Sequence, residues 1–267
     1  MARDDVRSHR TAARYDRIGA SYARTRHPDP ALRALIEREL GDARTVVDVG
    51  AGTGSYEPRD RHVVAIEPSD VMAAQRPREL APAIRATAGD LPLRDGSVDA
   101  ALAVLTVHHW DRERERGVRE LRRVARGPVV IVTFDPAVSA RMWLPADYLP
   151  EVAEQDLRDF PSMEQLAAWL GPGTRVEPFP IPRATPDWTF GSLWAHPERV
   201  LDEQVIAGTS GFARLPPQAR DRAVEAVRRD LRSGAWDERH GHLRALDAYD
   251  AGMRVVVHHA AAGAGGG

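Results

Sequence analysis

The residues best suited to chemistry fall at the ends of apolar runs. Asp48 lies within TVVDVGAGTGSY (residues 45–56), and Gly50, Gly52 and Gly54 follow it at alternate positions. Glycine lacks a Cβ, so such a turn lets backbone approach a ligand closely. A short apolar run ending in a glycine-rich turn reads as a buried strand feeding a tight loop. At the carboxyl end of a parallel strand, that is where open α/β sheets bind nucleotides. A second run, HVVAIE, reads as a strand ending in an acid, Glu67. Asp90 stands before Leu91 and Pro92 in a polar turn, and Thr106, His108 and His109 follow the apolar run VDAALAVL. A His there could take a proton from an oxygen, nitrogen or acidic carbon nucleophile. Vicinal His residues in an apolar setting serve equally as hydrogen-bonded structural groups.

These residues need a scaffold, and the pattern around them supplies one. Strands are expected at 45–49, 62–67, 83–88 (weakly), 98–105 and 129–134, with helices between them, notably over 112–126. Alternation of this kind predicts right-handed βαβ units and a mostly parallel sheet with helices on both faces. Ahead of the sheet, residues 12–26 and 30–40 read as two helices, the second closed by Gly41. Residues 253–258, MRVVVH, read as the last strand, and residues 182–250 as a helical insertion before it. The stretches 1–11 and 260–267 are polar or low-complexity and are expected to be disordered, leaving one domain over 12–259.

Composition narrows the function classes. The chain has 267 residues, a net charge of -2, and no Lys among its 37 basic residues. Nothing in that balance points to nucleic acid or an anionic membrane. The absence of Cys excludes disulfides, thiolate metal sites and a Cys nucleophile. The amino terminus lacks an apolar secretory core, and no run is long enough to span a bilayer, so a cytoplasmic location is expected. The pairs His258-His259 and His240/His242 have no matching acids at ligand spacing, so no metal site is expected.

Two nucleotide ligands compete for the glycine turn. The dinucleotide fingerprint is G-x-G-x-x-G, but here the third glycine, Gly54, comes one position early. Asp48 inside the strand is foreign to that fingerprint as well. The run DVGAGTG (48–54) instead resembles motif I of class I S-adenosylmethionine-dependent methyltransferases, and the resemblance extends from about Tyr15 to Asp135. It implies a Rossmann-like sheet of seven strands, the last antiparallel. It also implies that Glu67 takes the ribose hydroxyls, Asp90 meets the adenine amine, and Asp48 sits near the turn and the methionine ammonium. Cofactor contacts are expected from Tyr15, Tyr22, Arg26, Gly50, Ala51, Gly52, Gly54, Leu91 and Thr106 too, with Tyr15, Tyr22 and Arg26 closing a lid of helices over 12–41. Arg26 could pair with the methionine carboxylate; Tyr at helical spacing is equally a core residue. The segment GDLPLRDGSVDAALAVLTVHHW looks like the small-molecule branch that includes quinone-biosynthesis methyltransferases.

The resemblance implies transfer of a methyl group to a small molecule, with His108 or His109 as base. Five of the six Trp residues lie after residue 140, and an aromatic wall there would suit an apolar or flat acceptor; a small core under the insertion explains them equally. The expected partners are that acceptor alone, with no nucleic acid and no membrane, in a monomer or homodimer. An NAD-dependent oxidoreductase and a catalytically silent binding domain are the alternatives. Only eleven residues, 51–61, link the first two strands, and Pro58 is among them. A parallel crossover needs about a dozen or more, so the first helix must shrink to roughly one turn or vanish.

Overall fold

Alternate residues of each central strand enter different cores. On β1 (Thr45–Val49), Val46 faces one apolar cluster while Val47 and Val49 face the other. β3 (Ala100–Val104) and β4 (Val129–Phe134) divide the same way: Leu102, Val130 and Val132 on the first side, Ala101, Ala103 and Ile131 on the second. The period of two makes a sheet buried on both faces. The computed structural model describes residues 26–259. The expected terminal disorder at 1–11 and 260–267, and the helix carrying Tyr15 and Tyr22, lie outside the described residues.

In chain order the elements are α1 (Pro30–Leu40), β1, β2 (His62–Ile66), α2 (Asp70–Ala74), β3, α3 (Arg114–Val124), β4, α4 (Pro136–Ser139), α5 (Pro150–Asp159), α6 (Met163–Leu170) and β5 (Arg175–Pro178). There follow β6 (Ile181–Pro182), α7 (Glu203–Gly208), α8 (Ser210–Ala213), α9 (Pro217–Ser233), α10 (Ala235–His240), β7 (Ala248–Tyr249) and β8 (Met253–His258). The main sheet has the order β2-β1-β3-β4-β8-β5, and β6 pairs with β7 apart from it. The first four strands are parallel; β8 runs antiparallel to both of its neighbours.

That is six strands rather than the expected seven. Residues 83–88 shrink to a single parallel bridge, Ile84 to Ile66, made by Ile84 N–H to Ala65 O (2.8 Å) and Glu67 N–H to Ile84 O (3.1 Å). Pro82 offers no N–H to extend the ladder, and Ile84, 44% exposed, has little to pack against. The first crossover has no helix at all: residues 50–61 run through turns, as their number and Pro58 require.

α1 begins where the sequence places it. Asp29 accepts from the amides of Ala31 and Leu32, Pro30 occupies the first turn, and Gly41 closes the helix at φ 55°. Its buried face, Leu32, Ile36 and Leu40, joins the first cluster together with Trp143, Trp194 and Trp236. These three Trp residues are core, not an acceptor wall. Trp143 meets Trp236 edge-on at 5.4 Å and donates to the carbonyl of Trp194 at 2.9 Å.

Candidate active site

The glycine turn leaves β1 with three glycines in left-handed backbone: Gly50 (φ 73°), Gly52 (φ 53°) and Gly54 (φ 81°). Two of them also allow close packing. A Cβ on Gly50 would lie 2.0 Å from Thr106 Oγ1, and one on Gly54 would lie 2.3 Å from Leu80 Cδ1. The amides of Gly50 and Ala51 both donate to Ile66 O, at 2.9 and 3.0 Å, which pins the turn to the end of β2.

Glu67 follows directly and is buried. Its Oε2 accepts from Gly52 N–H and its Oε1 from Ser69 N–H, both at 2.8 Å. Burial pushes its carboxyl above the usual carboxylate range, against the pull of those two amides. Asp48 is also buried, and desolvation, then the nearby Glu57 carboxylate, raise it well above its ordinary value. Asp90 lies exposed at the rim, 3.9 Å from Arg116. The Leu91 amide is engaged by Glu120 at 3.0 Å, while its side chain is buried.

Arg26 is directed at a partner the sequence did not suggest. Its guanidinium makes a two-pronged contact with Asp187, through Nε and Nη2. Tyr56 donates to the same carboxylate at 2.8 Å and accepts from the Asp29 amide at 3.0 Å. The Tyr56 phenol is pushed up by burial and by the Asp187 charge. One buried carboxylate thus joins the chain ahead of α1, the residue after the glycine turn, and the segment following β6. Asp187→Asn removes one charge of a buried pair, so unfolding stability should fall by about 3 kcal/mol. Urea denaturation measures this; an unchanged midpoint would show the contact to be dispensable.

β3 ends under strain: Leu105, a branched non-glycine residue, sits at φ 54°. The kink presents Thr106 to Gly50 and sends the next turn (Val107–His109) toward a pocket. That pocket, partly open to solvent, includes Leu105, His108, His109, Phe134, Phe160 and Phe190 in its lining. His108 stacks on Phe160 at 4.0 Å and 11°, and touches His109 at 3.7 Å between ring centroids. Two glycines seat the other rings. A Cβ on Gly191 would be 2.7 Å from Phe134, and one on Gly211 2.6 Å from Phe190. Arg26, Asp156 and Arg214 also line the pocket, and Arg214 is paired with Asp156 and Asp159.

The methyltransferase domain family matches residues 47–132. An uncharacterized methyltransferase of Mycobacterium tuberculosis is 30% identical over 225 residues, covering 80% of this chain and 83% of that protein. The chain belongs to the class I S-adenosylmethionine-dependent methyltransferases. The dinucleotide alternative therefore falls, and S-adenosylmethionine is the cofactor. A solved structure from Anabaena variabilis, a methyltransferase assigned to an antibiotic biosynthesis pathway, aligns with a TM-score of 0.80 at 31% identity, over 87% of this chain and 98% of that one. A tRNA (carboxymethyluridine(34)-5-O)-methyltransferase of Arabidopsis thaliana is 27% identical over 193 residues, 69% of this chain but 43% of that protein.

In this methyltransferase the structure brings Asp48, the three glycines, Glu67 and Thr106 together at the ends of β1, β2 and β3. His108 and His109 stand one turn further on. Asp187, Phe160 and Phe190 were not read as site residues from the sequence. Each belongs to an irregular or amphipathic stretch with no motif, and only the fold carries Phe160 and Phe190 to the pocket and Asp187 to Arg26 and Tyr56. No helix of the described residues is long and apolar enough to cross a membrane.

Proposed function

We propose that this methyltransferase acts on a small molecule with a flat, apolar body. The observation that carries the reading is the aromatic pocket at the end of β3, where His108 and Phe160 stack beside His109. The pathway to which the Anabaena relative is assigned also suits a small acceptor.

The residues at the glycine turn fit the cofactor. Each Glu67 oxygen accepts one amide and keeps a second lone pair, which is what a ribose diol requires. Asp48 supplies a buried carboxylate for an ammonium and Asp90 borders the adenine end, whereas the amides of Gly50, Ala51, Gly52 and Gly54 are already engaged within the protein. In this reading Arg26 serves Asp187 rather than the cofactor carboxylate. S-adenosylmethionine supplies an electrophilic methyl group on a sulfonium.

The chain's part is to hold the acceptor in line, exclude water and remove a proton where the nucleophile carries one. Either His could accept that proton, and His109 is the more buried. His109→Gln should lower kcat by about 10²-fold or more with S-adenosylhomocysteine affinity unchanged. An unaltered kcat would assign His109 to packing.

The decisive assay feeds methyl-labelled S-adenosylmethionine to the purified protein with a small-molecule extract, and separately with bulk tRNA. Label in the small-molecule fraction is expected. Label in tRNA alone would refute the proposed acceptor class, and label in neither would favour a silent binding domain.

A further inference from the structure

A buried ion pair occupies the place where the first helix of this fold would begin. Residues 50–61 form no helix, so no helix N-terminus aims amides and partial positive charge at the glycine turn. Beneath the turn, Arg76 Nη2 meets Glu57 Oε1 at 2.6 Å; Glu57 is fully buried and the Arg76 side chain is 3% exposed. Arg76 Nη1 also donates to Gly52 O at 3.2 Å, and its Nε and Nη2 donate to Ala81 O at 3.2 and 3.0 Å. The Gly52 amide is held by Glu67. Gly52 is thus clamped on both sides, by a carboxylate at its N–H and a guanidinium at its C=O.

The pair is not there for stability alone. A buried pair often contributes no more than apolar side chains of the same volume. This one is also incompletely satisfied, because Glu57 Oε2 is buried without a hydrogen-bond partner. Its cation matters to its surroundings: Arg76 is the one charge that lowers all three carboxyls in this corner, Asp48, Glu57 and Glu67. Gly54 rests on the pair, since a Cβ there would lie 3.3 Å from both Arg76 Nη1 and Glu57 Cδ.

We propose that Arg76, locked by Glu57, is a positioning residue for the methionine half of the cofactor. It stands in for the missing helix, fixing the turn through the Gly52 carbonyl and placing positive charge beneath it. The inference rests on the cofactor placement proposed above.

Calorimetry with two ligands tests it on the full chain. S-adenosylhomocysteine carries the amino-acid end; 5′-methylthioadenosine shares the adenosine and thioether but lacks that end. Arg76→Gln should weaken S-adenosylhomocysteine by about tenfold or more while methylthioadenosine stays within about twofold, since only contacts to the amino-acid end are lost. Arg76→Lys should not rescue, because one ammonium cannot span three acceptors in the guanidinium's plane. If Arg76→Gln unfolds with Glu57 left unpaired, the Glu57→Gln/Arg76→Gln double variant removes both charges and should fold yet show the same selective loss. Equal weakening of both ligands, or of neither, overturns the proposal. A wild-type protein that binds neither ligand fails the cofactor placement itself, and this inference with it.

Discussion

Glu67→Ala should weaken S-adenosylhomocysteine binding by about 100-fold or more, since in the proposed cofactor placement its carboxylate makes two charged hydrogen bonds to the ribose, each worth about 1.5–3 kcal/mol. The loss should exceed that of Asp48→Ala, because Glu67 does a second job. Its two oxygens hold the amides of Gly52 and Ser69, at 2.8 Å each. Removing it leaves two backbone donors without acceptors and frees the turn. Glu67→Gln should rescue only in part: the amide group has one acceptor oxygen, so its NH2 must face one of the two N–H donors. Calorimetry that finds all three proteins equal in affinity would remove Glu67 from the site.

The same carboxyl predicts opposed pH effects. Burial raises Glu67 above its unfolded value. A carboxyl raised in the fold favours folding most below its unfolded pKa, and that contribution is lost as pH rises through the folded value. In the proposed placement, cofactor binding uses the ionised form. Acidification from neutral should therefore weaken binding at a pH above the usual carboxylate range, while the group's own effect on stability moves the other way. Asp48, raised well above its ordinary value by desolvation and Glu57, should add to both trends.

The glycine turn, Glu67 and the missing first helix were legible in the sequence because each depends on local rules. Three alternate glycines need no tertiary context, a strand-end acid follows from the length of the apolar run, and eleven residues with a proline cannot fill a helical crossover. The strand at 83–88 was over-read, since propensity cannot see that Ile84 has nothing to pack against. The Trp cluster was ambiguous for a related reason: composition places aromatics in the second half of the chain, but not on the inside or the outside. Asp187 was invisible. It stands 131 residues from Tyr56, in a segment without periodicity, and acquires meaning only when the fold sets it beside Tyr56 and Arg26.

Gly50→Ala should destabilise the fold by about 3 kcal/mol, combining about 1–2 for a left-handed alanine with about 1–3 for overpacking. For a domain of this size that lowers Tm by roughly 10 °C, at about 2–4 °C per kcal/mol. The overpacking arises because the new Cβ would lie 2.0 Å from Thr106 Oγ1 and 2.8 Å from Thr106 Cβ. Neither side can yield easily. The amides of Gly50 and Ala51 are both tied to Ile66 O, and Thr106 is buried behind the strained Leu105. Gly41→Ala separates the two causes, since Gly41 also has positive φ (55°) but a Cβ there meets nothing within 4 Å; it should cost only the strain. Thr106→Gly combined with Gly50→Ala should recover the overpacking share, whereas Thr106→Ala should not, because the Cβ–Cβ overlap persists. Thr106 is two residues before His108, so the displaced threonine should also disturb the pocket, and kcat should fall further than S-adenosylhomocysteine affinity. A Gly50→Ala protein with wild-type Tm and kinetics would mean that cofactor turn and pocket are not joined at this contact. The geometry makes them one joint: the glycine turn proposed to receive the methyl donor and the strand end that leads to the proposed base touch through Gly50 and Thr106, with no space for another atom.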